Sequence, residues 1–443
     1  MTPNFGDFVA AAAARGELVV QPRMGMREPE VMRRGLRATR AADACTVGTL
    51  TLDSYTRVGD HEAVRDALAA GTPLNGYPIV DHPFAVTRRV LDGVCDAHFP
   101  VQVRHGSARP QRIMTALARA GLHASEGGPL SYCLPYSRVP VSEAMRAWAE
   151  ACLLLGEARE HGPRAHLETF GGCMLGQLCP PSLLIAISTL EACFFRQHGI
   201  DSVSLSYAQQ THIEQDVEAV VALRALAATF LPDVDWHVVV YAYMGLFPRT
   251  PEGAMRLVAD AARLSVRGGA HRLIVKTVAE SHRIPTIAEN VQALETAALA
   301  AADARSEPAG LPPQDTGVLA AATAIVEAVL DLDPDVGRAL VDAVRRGLLD
   351  IPYCLHPDNL GRTRATVGWD GRLYWTRTGN LPRAAAVEAA ISEDMDSRGL
   401  LRSLSYVQRC FDRPEPVTPP LPTPQPKTRT TPTPTDRAKA TAP

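Results

Sequence analysis

This sequence has no CxxC pair, no HExxH helix, no GxSxG elbow and no glycine-rich phosphate loop. The usual tools of hydrolysis and phosphate binding are therefore missing, and no metal site is expected. The nine cysteines are scattered singly and odd in number. They read as reduced core thiols of a cytoplasmic protein. A metal or redox role for Cys173 and Cys179, which flank a glycine-rich loop, is the weaker alternative. A dominant charge sign is also missing: 45 basic and 48 acidic residues leave a formal net charge of −3. Neither nucleic acid nor an anionic membrane is favoured as partner. No run reaches the roughly 18 apolar residues of a membrane span. The longest candidate, SLLIAISTLEACFF (182–195), carries Glu191 and is followed by Arg196. The N-terminal MTPNFGDFVAAAAARGE lacks the basic start of a signal peptide.

What is present is apolar bulk. Hydrophobic residues make up 46% of 443, enough for one large α/β domain or two smaller ones. Short apolar runs near 18–23, 45–53, 100–104, 121–126, 165–170, 201–206, 235–242 and 271–277 read as buried parallel strands. Helical patterns separate most of them. About eight strands favours an α/β fold closed as a (β/α)8 TIM-type barrel. The run 121–126 is the thinnest, and a count of seven leaves an open doubly wound sheet standing. The barrel is expected over 1–305. Residues 306–413 read as an appended C-terminal α+β subdomain, or a cap over one barrel end, with a tight hairpin at WDGRLYW (369–375). The Pro/Thr-rich stretch 414–443 reads as a disordered tail.

In such barrels chemistry sits at the C-terminal strand ends. Three arginines lie there: Arg23 in LVVQPR, Arg57 in CTVGTLTLDSYTR and Arg104 in PVQVRHG. Guanidinium forks on one rim suit a ligand with two carboxylates. Glu126, in the same layer, adds a partner for an ammonium. The charge pattern fits an amino dicarboxylic acid such as glutamate. Gly25, Thr51, His105, Tyr132, Tyr136, Glu168, Lys276 and Glu280 stand at or beyond the same strand ends. Each has a plainer alternative. A single strand-end arginine is more often structural, and Arg57 alone could cap a loop through a salt bridge. Tyr132 and Tyr136 could be packing aromatics. His105 could only brace its neighbours, and Lys276 and Glu280 could be an exposed ion pair of little energetic worth. Three arginines with a glutamate shift the balance toward a site.

The motifs QPRMG (21–25), DSYTR (53–57), LNGYP (74–78), VRHG (103–106), SEGGPLSYCLPY (125–136), CPPS (179–182), VKTVAE (275–280), IPT (284–286), DIPY (350–353) and DNLG (358–361) occur in that order. With this set the chain resembles the large, catalytic subunit of glutamate mutase (methylaspartate mutase, epsilon or E subunit) over about 18–412. The resemblance implies an isomerase that converts (S)-glutamate to and from (2S,3S)-3-methylaspartate by adenosylcobalamin-dependent radical chemistry. It places the substrate's carboxylate clamp on Arg23, Arg57 and Arg104. Further substrate-side positions fall on Glu126, Tyr132, Tyr136 and His105. It places the cofactor's adenosyl ribose on Lys276 and Glu280, with Gly25, Thr51 and Asn75 nearby. Hydrogen would leave C4 of glutamate, and the substrate radical would fragment to a glycyl radical and acrylate before recombining.

Cobalamin modules of this class carry DxHxxG, whose histidine ligates cobalt from below. The nearest strings here, DAHFPV (96–101) and DWHVVV (235–240), lack the glycine. The resemblance therefore implies a small cobalamin-binding partner subunit bearing that motif, in a hetero-oligomer of two large and two small subunits. The loops 170–181 and 204–212 depart from the family pattern and bear on substrate preference. Two rival readings follow: a cobalamin-dependent mutase acting on a related amino dicarboxylate, and a non-catalytic carboxylate-binding homologue.

Overall fold

The structure, a computed structural model, describes residues 4–157, 164–173, 178–307, 313–388 and 396–413. The described residues up to Asp412 belong to one compact unit. The stretch 414–443 lies outside the described residues.

Eight strands appear where the apolar runs place them: β1 (Val19–Gln21), β2 (Gly48–Thr51), β3 (Val101–Arg104), β4 (Ala124–Gly127), β5 (His166–Thr169), β6 (Ser202–Ala208), β7 (Asp235–Tyr241) and β8 (Arg272–Ile274). Before and between them run α1 (Phe5–Ala14), α2 (Pro29–Ala41), α3 (Ser54–Val58), α4 (His61–Ala70), α5 (Phe84–Leu91), α6 (Gln111–Arg119), α7 (Val141–Glu157), α8 (Pro181–Gln197), α9 (Ile213–Phe230) and α10 (Pro251–Gly268). After β8 come α11 (Ile287–Ser306), α12 (Val318–Leu330), α13 (Val336–Arg346), the strands β9 (Thr363–Val367) and β10 (Leu373–Thr378), then α14 (Ser397–Leu404) and α15 (Tyr406–Phe411).

The sheet runs β2-β3-β4-β5-β6-β7-β8-β1, all parallel. It closes through one bridge, Val20 to Thr46, with Val20 N–H donating to Cys45 O at 2.9 Å. The barrel expectation therefore holds, and the thin run near 121–126 is a true strand. Crossover helices make every strand parallel and cover the outer face.

Alternation along each strand then decides what fills the barrel. In β3, Val101 and Val103 alternate with Gln102 and Arg104; in β5, Leu167 and Thr169 alternate with His166 and Glu168. The inward set is polar. Gln21 Nε2 donates to Thr49 Oγ1 (2.9 Å) and Gln102 Oε1 (2.8 Å). Arg272 donates to Gln21, Glu168 and Ser204, and it forms an ion pair with Glu168 in which both side chains are 0% exposed. Below this pair His166 stacks on His237 (5.1 Å, 4°). Such an interior differs from the branched apolar layers common in these barrels.

Helix α1 lies ahead of the first strand, where the sequence reading placed nothing. Its alanine run has no amphipathic period to announce it. Asn4 and Asp7 form a capping box, with Asp7 N–H donating to Asn4 Oδ1 at 2.6 Å. Phe5 is buried and stacks on His166 (5.1 Å), while the Arg272 guanidinium lies over its ring (4.9 Å). This helix therefore closes the floor of the polar interior.

The hairpin at WDGRLYW is present as antiparallel β9–β10. Gln215, in the first turn of α9, exchanges two hydrogen bonds with Leu373 (2.9 and 3.0 Å). That contact seats the hairpin beside the C-terminal strand ends. The DIPY and DNLG motifs hold the preceding segment: Asp350 accepts from the N–H groups of Gly361, Arg362 and Thr363 at 2.6–2.7 Å. Among the described residues no helix is long and apolar enough to cross a membrane.

Candidate functional site at the barrel mouth

Three neighbouring strands carry the arginines to one rim. Arg23 follows β1. Arg104 ends β3, in register with Thr51 at the end of β2. Arg57 sits on α3, and the DSYTR motif explains how. Asp53 caps the helix, accepting from Thr56 N–H (2.9 Å) and Thr56 Oγ1 (2.5 Å). One turn later Arg57 turns back, and its Nε donates to the His105 carbonyl at 2.9 Å. Among the described residues no carboxylate pairs with Arg57, so the salt-bridge alternative is not what is seen. Burial raises the pKa of the Tyr136 hydroxyl, against the charges of Arg23 and Arg57.

Glu126 is the centre of the deepest part. Its carboxylate pairs with Arg104 Nε (2.6 Å), Tyr241 OH (2.6 Å) and Tyr132 OH. Burial alone would raise its pKa. The Arg104 charge and the hydrogen bonds from Arg104, Tyr132 and Tyr241 outweigh that and hold it below the usual carboxylate range. Arg104 is only 4% exposed at its side chain, yet beyond the Nε bond its fork has no further hydrogen bond among the described residues. Tyr241 also contacts Glu168. It has one hydroxyl hydrogen for two carboxylates, which links the mouth to the Arg272–Glu168 pair below.

His105 is buried between Trp148 (stacked, 5.7 Å) and Tyr132 (5.2 Å). Burial, reinforced by Arg57 and Arg104 against the pull of Glu126, pushes its pKa down to about 3. The neutral ring accepts Ser107 N–H at Nδ1 (3.0 Å), so its own hydrogen is on Nε2. Among the described residues Thr51 Oγ1 is buried without a hydrogen-bond partner.

On the opposite side, Glu280 joins Arg23 (2.8 Å) and Lys276 (3.2 Å). Lys276 is 5% exposed and Glu280 22%, so the exposed-pair alternative is corrected: the pair is largely sunk into the mouth. Burial pushes Lys276 down to about 8 although Glu280 opposes it. A cleft of about 310 Å³ here is bordered by Arg23, Gly25, Thr51, Asn75, Glu280 and Ile284. Gly25 is required by close approach, since a Cβ would lie 2.1 Å from Thr51 O. A second cleft of about 640 Å³, bordered by Arg57, Tyr136 and Tyr353 among others, opens beside β3 and β4.

With this geometry in hand, relatives are informative. A sequence profile of the Methylaspartate mutase E chain family matches residues 2–407. The chain belongs to this family. The Halobacterium salinarum glutamate mutase epsilon subunit is 33% identical over 314 residues, covering 68% of this chain and 65% of that one. The Desulfitobacterium hafniense epsilon subunit is 29% identical over 415 residues, covering 89% and 84%. The family is thus that of an isomerase subunit. Among solved structures, a truncated 3-deoxy-D-arabino-heptulosonate 7-phosphate synthase from Thermotoga maritima overlays 64% of this chain and 84% of its own at a TM-score of 0.36 and 12% identity. So loose a likeness carries no argument, and the barrel rests on its own strand order.

In this family member the structure brings together Arg23, Arg57, Arg104, His105, Glu126, Tyr132, Lys276 and Glu280. Tyr136 stands at the entrance, 42% exposed. Gly25 and Thr51 line the smaller cleft, and Asn75 sits on its edge, accepting from Ser54 N–H at 2.9 Å. The sequence placed Tyr241 at a strand end (YAYMG, 241–245) without a role, and did not mark Phe247. Tyr241 ends β7 on the inward face, a position that strand alternation alone would have flagged. Phe247 lies under Lys276 Nζ at 5.3 Å, in a loop no periodicity marks. Of the altered loop 170–181, residues 174–177 lie outside the described residues.

Proposed function

We propose that this chain is the catalytic subunit of a glutamate mutase, which interconverts (S)-glutamate and (2S,3S)-3-methylaspartate by a radical carbon-skeleton rearrangement. The observation that carries the reading is the convergence of Arg23, Arg57 and Arg104 with Glu126 at one barrel mouth. The curated relatives of this chain are named glutamate mutase epsilon subunits.

The guanidiniums hold the two carboxylates, and the ionised Glu126 accepts from the ammonium. Tyr132 and Tyr241 fix Glu126. Holding the substrate by both ends supplies orientation rather than chemistry. The implied cofactor is adenosylcobalamin. The smaller cleft fits its nucleoside end. The orphaned Thr51 Oγ1 and Arg23 Nε stand beside it, and the Lys276–Glu280 pair offers one donor and one acceptor to vicinal hydroxyls. When bound, that cofactor supplies a carbon-centred radical through homolysis of its cobalt–carbon bond. Exposed Val58, Ile284 and Leu355 around the mouth give a small DxHxxG-bearing subunit an apolar seat, in an assembly of two large and two small subunits.

The test is conversion of glutamate by the chain with adenosylcobalamin and the small subunit. Methylaspartate is the expected product. Its absence, with turnover of another amino dicarboxylate in a parallel screen, would move the assignment to that substrate. The sign of one pH effect follows. As pH rises through about 8, Lys276 loses its proton and its donor charge, so activity falls on that limb. Lys276→Arg keeps the charge and should remove the limb; an unchanged limb would detach Lys276 from the cofactor.

A further inference from the structure

Helix α8, buried along almost its whole length, carries one carboxylate in its middle, outside the site at the barrel mouth. Glu191 is fully buried, and no cation pairs with it among the described residues. An uncompensated buried carboxylate is costly unless hydrogen bonds satisfy it. Here four do. Oε1 accepts from Leu130 N–H (3.2 Å) and Ser131 N–H (2.9 Å). Oε2 accepts from Ser131 Oγ (3.0 Å) and Phe170 N–H (3.3 Å). The donors come from two separate loops. The first leaves β4 just after Glu126 and carries Tyr132 and Tyr136. The second leaves β5 just after Glu168 and carries Phe170, whose ring packs on Tyr132 (5.0 Å) and Tyr241 (5.4 Å).

The backbone is shaped to admit this carboxylate. A Cβ on Gly128 would lie 2.0 Å from Glu191 Oε1, so only glycine lets the two approach. Gly127, at φ 133°, turns the chain there, with the Tyr132 ring 2.5 Å from where its own Cβ would stand.

We infer that Glu191 is a positioning residue: one carboxylate latches the β4 and β5 loops together and so fixes Tyr132 and Phe170 against Glu126. Its consequence for turnover rests on the proposed mutase reading; the latch itself does not.

The two oxygens have different clients, which makes the inference testable by hydrogen–deuterium exchange on the full chain. In Glu191→Gln the amide oxygen keeps Leu130 and Ser131, while the NH2 faces the Phe170 N–H, donor against donor. Exchange at Phe170 should rise about tenfold or more, with Leu130 and Ser131 within about threefold of wild type. In Glu191→Ala all three amides should rise, and β7 and α10 should stay unchanged. Wild-type rates at all three amides in both variants would overturn the latch. So would a uniform rise across the barrel, which marks general loosening. If Glu191→Ala does not fold, the split within Glu191→Gln still decides. Expected exchange with no mutase activity even in wild type would keep the latch and remove the functional reading.

Discussion

Under the proposed mutase reading, replacing Arg104 with lysine is expected to lower kcat/KM for glutamate by about two to three orders of magnitude, because a fork is exchanged for a point charge. Arg104 already spends Nε on Glu126 at 2.6 Å, and its fork makes no further hydrogen bond among the described residues. A lysine ammonium can serve Glu126 or an incoming carboxylate, not both in the same geometry. The charge is kept, so Glu126 stays ionised and the fold should lose little. Steady-state kinetics together with thermal unfolding separate the two effects. A kcat/KM close to wild type would show that Arg104 serves only Glu126. That would leave the carboxylate clamp with two members.

The largest loss of stability is expected from Arg272→Met. Both partners of the Arg272–Glu168 pair are 0% exposed. Removing one partner of a buried pair costs about 3–5 kcal/mol, since the other charge is left uncompensated in a low dielectric. Gln21 and Ser204 lose a donor in the same step. The double variant Arg272→Met, Glu168→Leu removes both charges and should recover much of the loss. Denaturant unfolding of the wild type and the two variants measures this. Equal losses in the single and double variants would mean that the surrounding hydrogen bonds, not the charge, set the energy. Tyr241 joins Glu168 to Glu126, so the same substitution should also weaken activity beyond what unfolding explains.

Much of the architecture could be read along the chain. Strands over 45–53, 201–206 and 235–242 are announced by β-branched and apolar runs, and each lies within a few residues of β2, β6 and β7. The hairpin at WDGRLYW is announced by its Asp-Gly turn. Helix α1 was not, because five successive alanines carry no period. The arginines, Glu126 and the Lys276–Glu280 pair were legible because strand ends in an alternating βα chain share one rim. Glu191 stood out only as an anomaly in an apolar helix, and its clients lie some 20 to 60 positions away.

The sequence by itself determined a parallel α/β sheet, favoured its closure, and placed charged groups at its strand ends, because alternation of short apolar runs with helices leaves a chain few other ways to bury its surface. Only the tertiary structure decided what fills the barrel and which group holds which. Gln21, Gln102, Glu168 and Arg272 look like interruptions of apolar strands when read one at a time. Closure turns them to a common axis, where each can meet its hydrogen-bonding need only through residues from other strands. Such pairings depend on register and curvature, which no local pattern encodes.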